Sequence, residues 1–169
     1  MKTHILKRRQ LLPRPAREIF HFFEKPENLE KITPASVGFV ILTPKPIKMQ
    51  AGTVLDYTIR IMGLPVRWTT LIQRYEPPDI FVDVSIRGPY SFWHHTHTFE
   101  ETEDGTVMTD EVRYAMPFGF LGRIVHGMWV KKQLNYIFDY RAKVIAELID
   151  SAETHPAGCP PPPVEVDLP

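Results

Sequence analysis

The sequence contains one cysteine, Cys159, in a chain of 169 residues. A single cysteine excludes an internal disulfide and any zinc site built from several cysteines. Cys159 also lies in a proline-rich segment, where a catalytic thiol would be poorly shielded. The sequence therefore indicates a protein whose chemistry does not depend on a thiol.

The chain has no excess of either charge, because 20 Lys and Arg balance 20 Asp and Glu. Phosphate backbones attract proteins with a cationic excess, so nucleic acid is not an expected partner. No apolar run approaches the ~20 residues that a membrane-spanning helix needs, and we expect no integral membrane segment. These absences predict a cytoplasmic protein.

Sequence motifs for nucleotide binding and covalent catalysis are missing. The nine glycines are scattered and form neither GxGxxG nor GxxxxGK[ST], the loops that hold phosphates. No serine stands in the GxSxG context of a nucleophile elbow. We therefore expect no cofactor and no covalent acyl transfer.

Prolines are abundant, with 17 in the chain, and they divide it into segments. Pro160 to Pro163 lie between Pro156 and Pro169, and proline is excluded from helix interiors and from central strands. The sequence therefore predicts a Pro-rich flexible C-terminal tail at residues 153–169 and a single domain at residues 1–152.

The segments between the prolines show two kinds of periodicity. Residues 3–12 alternate loosely and predict a first strand, which two short helices at Pro15 and Asn28 follow. From 37 to 114 the two-residue alternation predicts an antiparallel meander of six strands. From 121 to 151 apolar residues recur every three or four residues, which predicts one helix of about thirty residues. Because so broad an apolar stripe is not left exposed to water, we expect this helix to pack against the concave face of the sheet.

This order of elements, with three local features, resembles the START-like or SRPBCC superfamily of helix-grip proteins. The features are PAREIF with ENLEKITP, then GPYSFWHH, then TDEVRY leading into PFG. They are similar to the bacterial ligand-binding SRPBCC branch, related to polyketide cyclase/dehydrase-like and cell-division-inhibitor-related proteins. The resemblance covers residues 3–150. It implies an α+β helix-grip fold, as in plant Bet v 1-like proteins, with a curved antiparallel seven-stranded sheet. Two short helices after strand 1 and a long C-terminal helix over the concave face complete it, with a hydrophobic ligand held between sheet and helix.

Three histidines lie close together in the segment from Trp93 to Phe99. On a strand, His95 and His97 project to the same side as Trp93 and Phe99, whereas His94 projects to the opposite side. Because a tryptophan and a phenylalanine mark the buried side, we expect His95 and His97 to point toward the long helix.

The following strand carries a carboxylate on its apolar side, Asp110. The hairpin at residues 103–105 allows two registers. In one register His97 lies opposite Asp110, and in the other Phe99 does, with His97 as the diagonal neighbour. In both registers an inward imidazole lies within reach of an inward carboxylate, which fixes the ring and raises its pKa.

Four roles are open for these inward polar groups. They can satisfy one another inside the sheet, or His95, His97 and Asp110 can anchor the polar end of a ligand. His97 with Asp110 can act in acid–base catalysis. A metal site of His95 and His97 with Asp110 or Asp83 requires all ligands to converge, and since no second motif supports it, we expect no metal.

The same alternation gives further candidates for the wall of a cavity. The full set of predicted ligand-binding residues is Tyr57, Trp68, Thr70, Trp93, His95, His97, Asp110, Tyr114, Phe120, Ile124 and Met128.

The sequence predicts binding of a small or medium hydrophobic molecule, lipid-, polyketide- or quinone-like, in an internal cavity. Two alternatives remain: a cyclase/dehydratase-type enzyme using the same histidine and aspartate, and a protein-interaction module without a ligand. A non-catalytic binder is the favoured interpretation, and a homodimer is possible in each case.

Overall fold

The computed structural model of the chain describes residues 2–117 and 129–151, without the side chains of residues 150 and 151. Three predicted cavity residues, Phe120, Ile124 and Met128, lie outside the described residues. The same holds for the first part of the predicted thirty-residue helix and for the predicted tail at 153–169.

Seven strands form one antiparallel sheet in the order β1-β7-β6-β5-β4-β3-β2. The strands are β1 (Thr3–Leu12), β2 (Val40–Ile41), β3 (Val54–Ile61), β4 (Leu64–Glu76), β5 (Ile80–Arg87), β6 (Phe92–Thr102) and β7 (Gly105–Ala115). The predicted seven-stranded antiparallel sheet is confirmed. β6, which carries the three histidines, lies inside the sheet between β5 and β7.

Two short helices, α1 (Ala16–Phe23) and α2 (Asn28–Lys31), follow β1 as predicted. Pro15, which has no N–H to donate, immediately precedes α1. The helix buries Phe20 against the sheet, where its ring meets those of Phe81 and Phe99 edge-on at 5.9 and 5.3 Å between centroids. α1 thus closes one end of the concave face.

A 3-10 turn (Ala35–Val37) follows α2, and the next α-helix that the structure describes, α3 (Lys131–Ser151), lies over the concave face of the sheet. Leu134 and Phe138 pack in an apolar cluster with residues of β4, β6 and β7. Ile145, about two turns later, packs in a second cluster with α1 and the other end of the sheet. On the β1 side, Arg8 donates hydrogen bonds to Asp139 at 2.9 Å and to Asn135 at 2.7 Å. The predicted placement of the long helix is therefore confirmed for its described part.

The pairing of β5, β6 and β7 fixes which polar residues meet. β6 and β7 pair His97 with Asp110 and Phe99 with Met108, which is the first of the two predicted registers. β5 and β6 place Asp83 opposite His95. Residues opposite one another in antiparallel strands point to the same face, so one face receives two imidazoles and two carboxylates.

The β6–β7 hairpin depends on Gly105, which has φ of +122°. A Cβ there would overlap the carbonyl oxygen of Leu12 and lie 2.9 Å from Cα of Pro13. Gly52 also has a positive φ, +89°, but a Cβ there meets nothing within 4 Å among the described residues.

We expect Gly105→Ala to lower the free energy of unfolding by about 2 kcal/mol or more, because backbone strain and steric overlap add. Gly52→Ala is the matched control, since it adds strain alone and should cost about 1 kcal/mol. Urea denaturation of both variants measures the difference. Equal losses would contradict the steric role of Gly105.

Candidate functional site

A cavity of about 170 Å³ lies between the concave face of the sheet and α3. It is somewhat larger than the roughly 150 Å³ apolar cavity that holds a benzene ring. Side chains from α1, α2, the sheet and α3 line it, so the helix does not fill the space above the sheet.

Aromatic rings form much of the cavity wall. Trp68 meets Trp93 edge-on at 5.0 Å between ring centroids and lies 5.4 Å from Tyr90. Tyr57 stacks on Trp68 at 5.8 Å, and Phe39 lies 4.8 Å from Tyr57. All five rings line the cavity, which gives it a wall suited to flat apolar groups.

The structure brings six of the predicted residues to the cavity wall: Tyr57, Trp68, Thr70, Trp93, His95 and His97. Asp110 and Tyr114 are buried, with 7% and 2% of their surface exposed, but they do not line the cavity. Tyr114 packs behind the wall, 5.7 Å from the ring of Tyr90 and 6.1 Å from that of Trp93. The alternation of side chains along a strand shows which face of the sheet a residue is on. It does not show whether other side chains separate that residue from the cavity.

Several polar residues of the cavity wall were not among the predicted ligand-binding residues, and Asp83 and Arg141 are the two that bear on the site. Asp83 entered the sequence prediction only as a possible metal ligand. Arg141 follows Leu134 and Phe138 at helical spacing, and that spacing is the signal that could have identified it. For Asp83 in β5 the two-residue alternation of a strand is a weak signal, because the neighbouring residues Phe81 and Val82 are both buried.

Two imidazoles and two carboxylates form a closed cluster, and three of these four groups line the cavity. Nδ1 of His95 lies 3.3 Å from Oδ2 of Asp83, and its Nε2 lies 3.1 Å from Oδ1 of Asp110. Nε2 of His97 lies 3.2 Å from Oδ2 of Asp83, and its Nδ1 lies 2.7 Å from Oδ1 of Asp110. Each histidine therefore bridges both carboxylates.

Only some of these contacts are aligned hydrogen bonds. Nε2–H of His95 donates to Asp110, and Nε2–H of His97 donates to Asp83. Nδ1 of His97 is buried and has no aligned hydrogen-bond partner among the described residues, although it is 2.7 Å from Asp110. That close contact is therefore electrostatic in character.

Pairing dominates the acid–base properties of the cluster. Burial alone raises the pKa of Asp83 and of Asp110, but the charges of His95 and His97 and their hydrogen bonds outweigh it. Both carboxyl pKa values lie well below the usual range. Burial alone lowers the pKa of His95, but the charge of Asp83 and the hydrogen bond to Asp110 raise it above 6.5.

Aromatic rings enclose the cluster on the cavity side. Phe81 stacks on His97 at 3.9 Å between centroids, and Phe138 of α3 meets His95 edge-on at 5.5 Å. The guanidinium of Arg141 lies 4.9 Å above the ring of Phe138. The charged groups are thus held in an apolar setting, where electrostatic interactions are strong.

Two buried donors on the wall have no hydrogen-bond partner among the described residues: Nε1 of Trp68 and Nε of Arg141. The Tyr57 hydroxyl lies 2.9 Å from that of Thr70, and burial raises the pKa of Tyr57 so that the hydroxyl keeps its proton. The wall therefore carries unused donors, whereas the four-membered cluster satisfies its own charges.

The geometry of the cluster permits metal binding but leaves no imidazole free to act as a general base. One ligand atom from each of Asp83, His95 and His97 lies within 4.8 Å of the others, close enough to share a metal ion. As a general base, in contrast, each imidazole is engaged, because both of its nitrogens face carboxylate oxygens.

The chain is similar to known proteins in both sequence and structure. The family described as polyketide cyclase / dehydrase and lipid transport matches residues 12–141. An aromatase/cyclase of a Streptomyces species has the same fold, with a TM-score of 0.73 at 10% identity, covering 93% of this chain and 99% of that chain. A Thermus thermophilus protein, TTHA0849, gives a TM-score of 0.70 at 16% identity, with 88% and 99% covered.

A plant enzyme is also similar in structure. A norcoclaurine synthase of Thalictrum flavum gives a TM-score of 0.64 at 16% identity, covering 90% of this chain and 97% of that chain. No curated protein matches the sequence. At these identities the structural likeness shows the helix-grip fold alone. Within residues 2–117 and 129–151, no helix combines the length and the apolar character needed to cross a bilayer.

The directions of the pKa shifts predict a stability maximum in mildly acidic solution. The lowered pKa values of the two carboxyls stabilise the fold above about pH 3.8, and this contribution is lost at lower pH. The raised pKa of His95 stabilises the fold below pH 6.5, and this contribution is lost as pH rises through the folded value.

We therefore expect the free energy of unfolding of the wild type, measured by urea titration in EDTA-containing buffers, to fall as pH rises above 6.5. The decline should be smaller in Asp83→Asn, which removes the main charge that raises the pKa of His95. His94→Ala, on the opposite side of β6, should keep the wild-type profile. A wild-type stability that is flat or rising over this interval would contradict the assignment.

Proposed function

We propose that this chain, which belongs to the polyketide cyclase/dehydrase and lipid transport family, binds an oxygen-bearing aromatic molecule of the polyketide or quinone type in its cavity. The observation that carries the proposal is the combination of an aromatic wall with two buried donors, on Trp68 and Arg141, that lack partners within residues 2–117 and 129–151. The aromatic wall is the reason for proposing a ring system in the ligand, and the two donors are the reason for proposing an oxygen atom on it.

The aromatic wall favours a flat ligand over an acyl chain. Trp68, Trp93 and Tyr90 present faces and edges in one group, and aromatic pairs of this kind add about 0.5–1.5 kcal/mol beyond the burial of area. The cavity volume of about 170 Å³ suits a ligand of one or two rings.

The unpartnered donors favour an acceptor oxygen on the ligand. A buried N–H without a partner costs about 1–3 kcal/mol, and more where the group is charged. A ligand carbonyl within reach of Arg141 or Trp68 would recover that cost, whereas a hydrocarbon would not. Arg141 holds its position over Phe138, so little ordering is needed on binding.

A binder without catalysis fits the cluster better than an enzyme does. A general base needs a nitrogen lone pair directed at the substrate, but both nitrogens of His95 and of His97 face carboxylates. A cyclase/dehydratase-type enzyme is the second candidate, because both rings do line the cavity. If the protein is such an enzyme, it turns over a substrate at a rate that depends on pH, and His97→Ala loses that dependence.

Other expectations stay predictions. They are the cytoplasmic location, the domain boundary at 152, a homodimer, and the absence of a nucleic acid partner.

A matched pair of probes tests the ligand proposal. 2-Acetylnaphthalene and 2-ethylnaphthalene have nearly the same shape, and only the first carries an acceptor oxygen. We expect calorimetry to show the ketone binding at least ~10-fold more tightly, which corresponds to about 1.4 kcal/mol. Arg141→Met should reduce that preference, because only the Trp68 donor then remains, and it should leave the affinity for the hydrocarbon nearly unchanged.

Arg113→Met is the control, since Arg113 is exposed and pairs with Glu111 on the other face of the sheet. It should preserve the preference for the ketone. Equal affinities of the two probes in the wild type would show that no oxygen anchor exists. No binding of either probe would contradict a ligand-binding cavity.

A further inference from the structure

We propose that Asp83, His95 and His97 form a binding site for a divalent first-row transition metal ion, with Zn²⁺ as the reference ion. The site lies on the cavity wall and does not require the cavity to bind an organic ligand. It departs from the expectation, drawn from the sequence, that no metal is bound.

One ligand atom from each of the three residues lies within 4.8 Å of the others, and the two distances from Asp83 match a coordination shell. Oδ2 of Asp83 lies 3.3 Å from Nδ1 of His95 and 3.2 Å from Nε2 of His97. In a tetrahedral zinc site with bonds of about 2.0–2.1 Å, neighbouring ligand atoms are about 3.3 Å apart. Two imidazole nitrogens and one carboxylate oxygen are a donor set that zinc accepts.

Asp110 supplies the outer support that such a site needs. Its Oδ1 lies 3.1 Å from Nε2 of His95 and 2.7 Å from Nδ1 of His97, the two nitrogens that face away from Asp83. Metal-binding histidines usually donate their second N–H to a carboxylate, which fixes the tautomer and the ring orientation. Asp110 faces the second nitrogen of both imidazoles: it accepts a hydrogen bond from His95 and makes an electrostatic contact with His97. The metal would replace the His97 proton that lies toward Asp83, and Nδ1 of His97 would then carry the proton that faces Asp110.

The three metal ligands and the supporting carboxylate lie at different depths from the cavity. Asp83, His95 and His97 line the cavity, whereas Asp110 lies behind them. Structural zinc sites are closed by four protein ligands, but sites with three protein ligands keep a position open. Here the open position would face the cavity, where water or an oxygen atom of a bound molecule can occupy it.

The charges of the cluster favour a cation. Asp110 is buried and Asp83 is partly buried, and both lie within 3.3 Å of the same two rings. When both imidazoles are neutral, the two carboxylates carry two negative charges that a dication compensates. A cluster that served packing alone would need no member on the cavity surface, yet three of the four line it.

Untagged full-length protein, treated with EDTA and then freed of it, is the material for the test. Calorimetric titration with ZnCl₂ should show one ion per chain with micromolar or tighter affinity. Titration with Co²⁺ should give a visible spectrum more intense than that of the hydrated ion, as expected for four- or five-coordinate cobalt, and Zn²⁺ should abolish it.

The variants separate this site from other metal-binding groups. His97→Ala should weaken Zn²⁺ binding at least ~100-fold, and Asp110→Asn ~10–100-fold, as for residues that orient a ligand. His94→Ala, on the other side of the same strand, and Cys159→Ser should bind as the wild type does. Near-UV circular dichroism without metal confirms that each variant is folded.

A measurement on the wild type covers the case in which His97→Ala does not fold. In NMR spectra, Zn²⁺ should shift the ring signals of His95 and His97 and leave those of His94 in place. The proposal is overturned if the wild type does not bind Zn²⁺, if His97→Ala binds it equally well, or if Cys159→Ser abolishes binding. None of these results depends on whether the naphthalene probes bind.

Discussion

The contact of two carboxylates, one buried and one partly buried, with two buried imidazoles on one face of the sheet constrains the strands around it. Removing one partner from a buried charged pair costs about 3–5 kcal/mol, since it leaves the other charge uncompensated. Strands β5, β6 and β7 must therefore keep the register that sets Asp83 opposite His95 and His97 opposite Asp110. A slip of one residue would send these side chains to the opposite face.

The same cluster explains why the interior is divided. Along β6, Trp93 belongs to one apolar cluster and Phe99 to the other, with His95 and His97 between them. The helix packs against both apolar clusters, and its Phe138 also meets the ring of His95. His95 and His97 still form part of the cavity wall between the two clusters.

Much of this arrangement could be predicted from alternation and turns. The antiparallel sheet, the two short helices, the inward direction of His95 and His97 and one of two registers all follow from local patterns. Asp83 was not identified as a wall residue because β5 has two successive buried residues, which obscures the alternation. Arg141 lies about 45 residues away in the chain from His97 and joins the site only through packing of the helix, which local periodicity does not specify.

The pairing of β1 with β7 has a consequence for how the protein is made. Thr3 pairs with Ala115 and Leu12 with Thr106, so β1 finds its partner strand only about a hundred residues further along the chain. On the ribosome, β1 must therefore wait as an unpaired strand while the intervening meander is synthesised. Chaperones that bind exposed strand edges would meet this chain early, and a nascent chain halted before β7 would present β1 for aggregation.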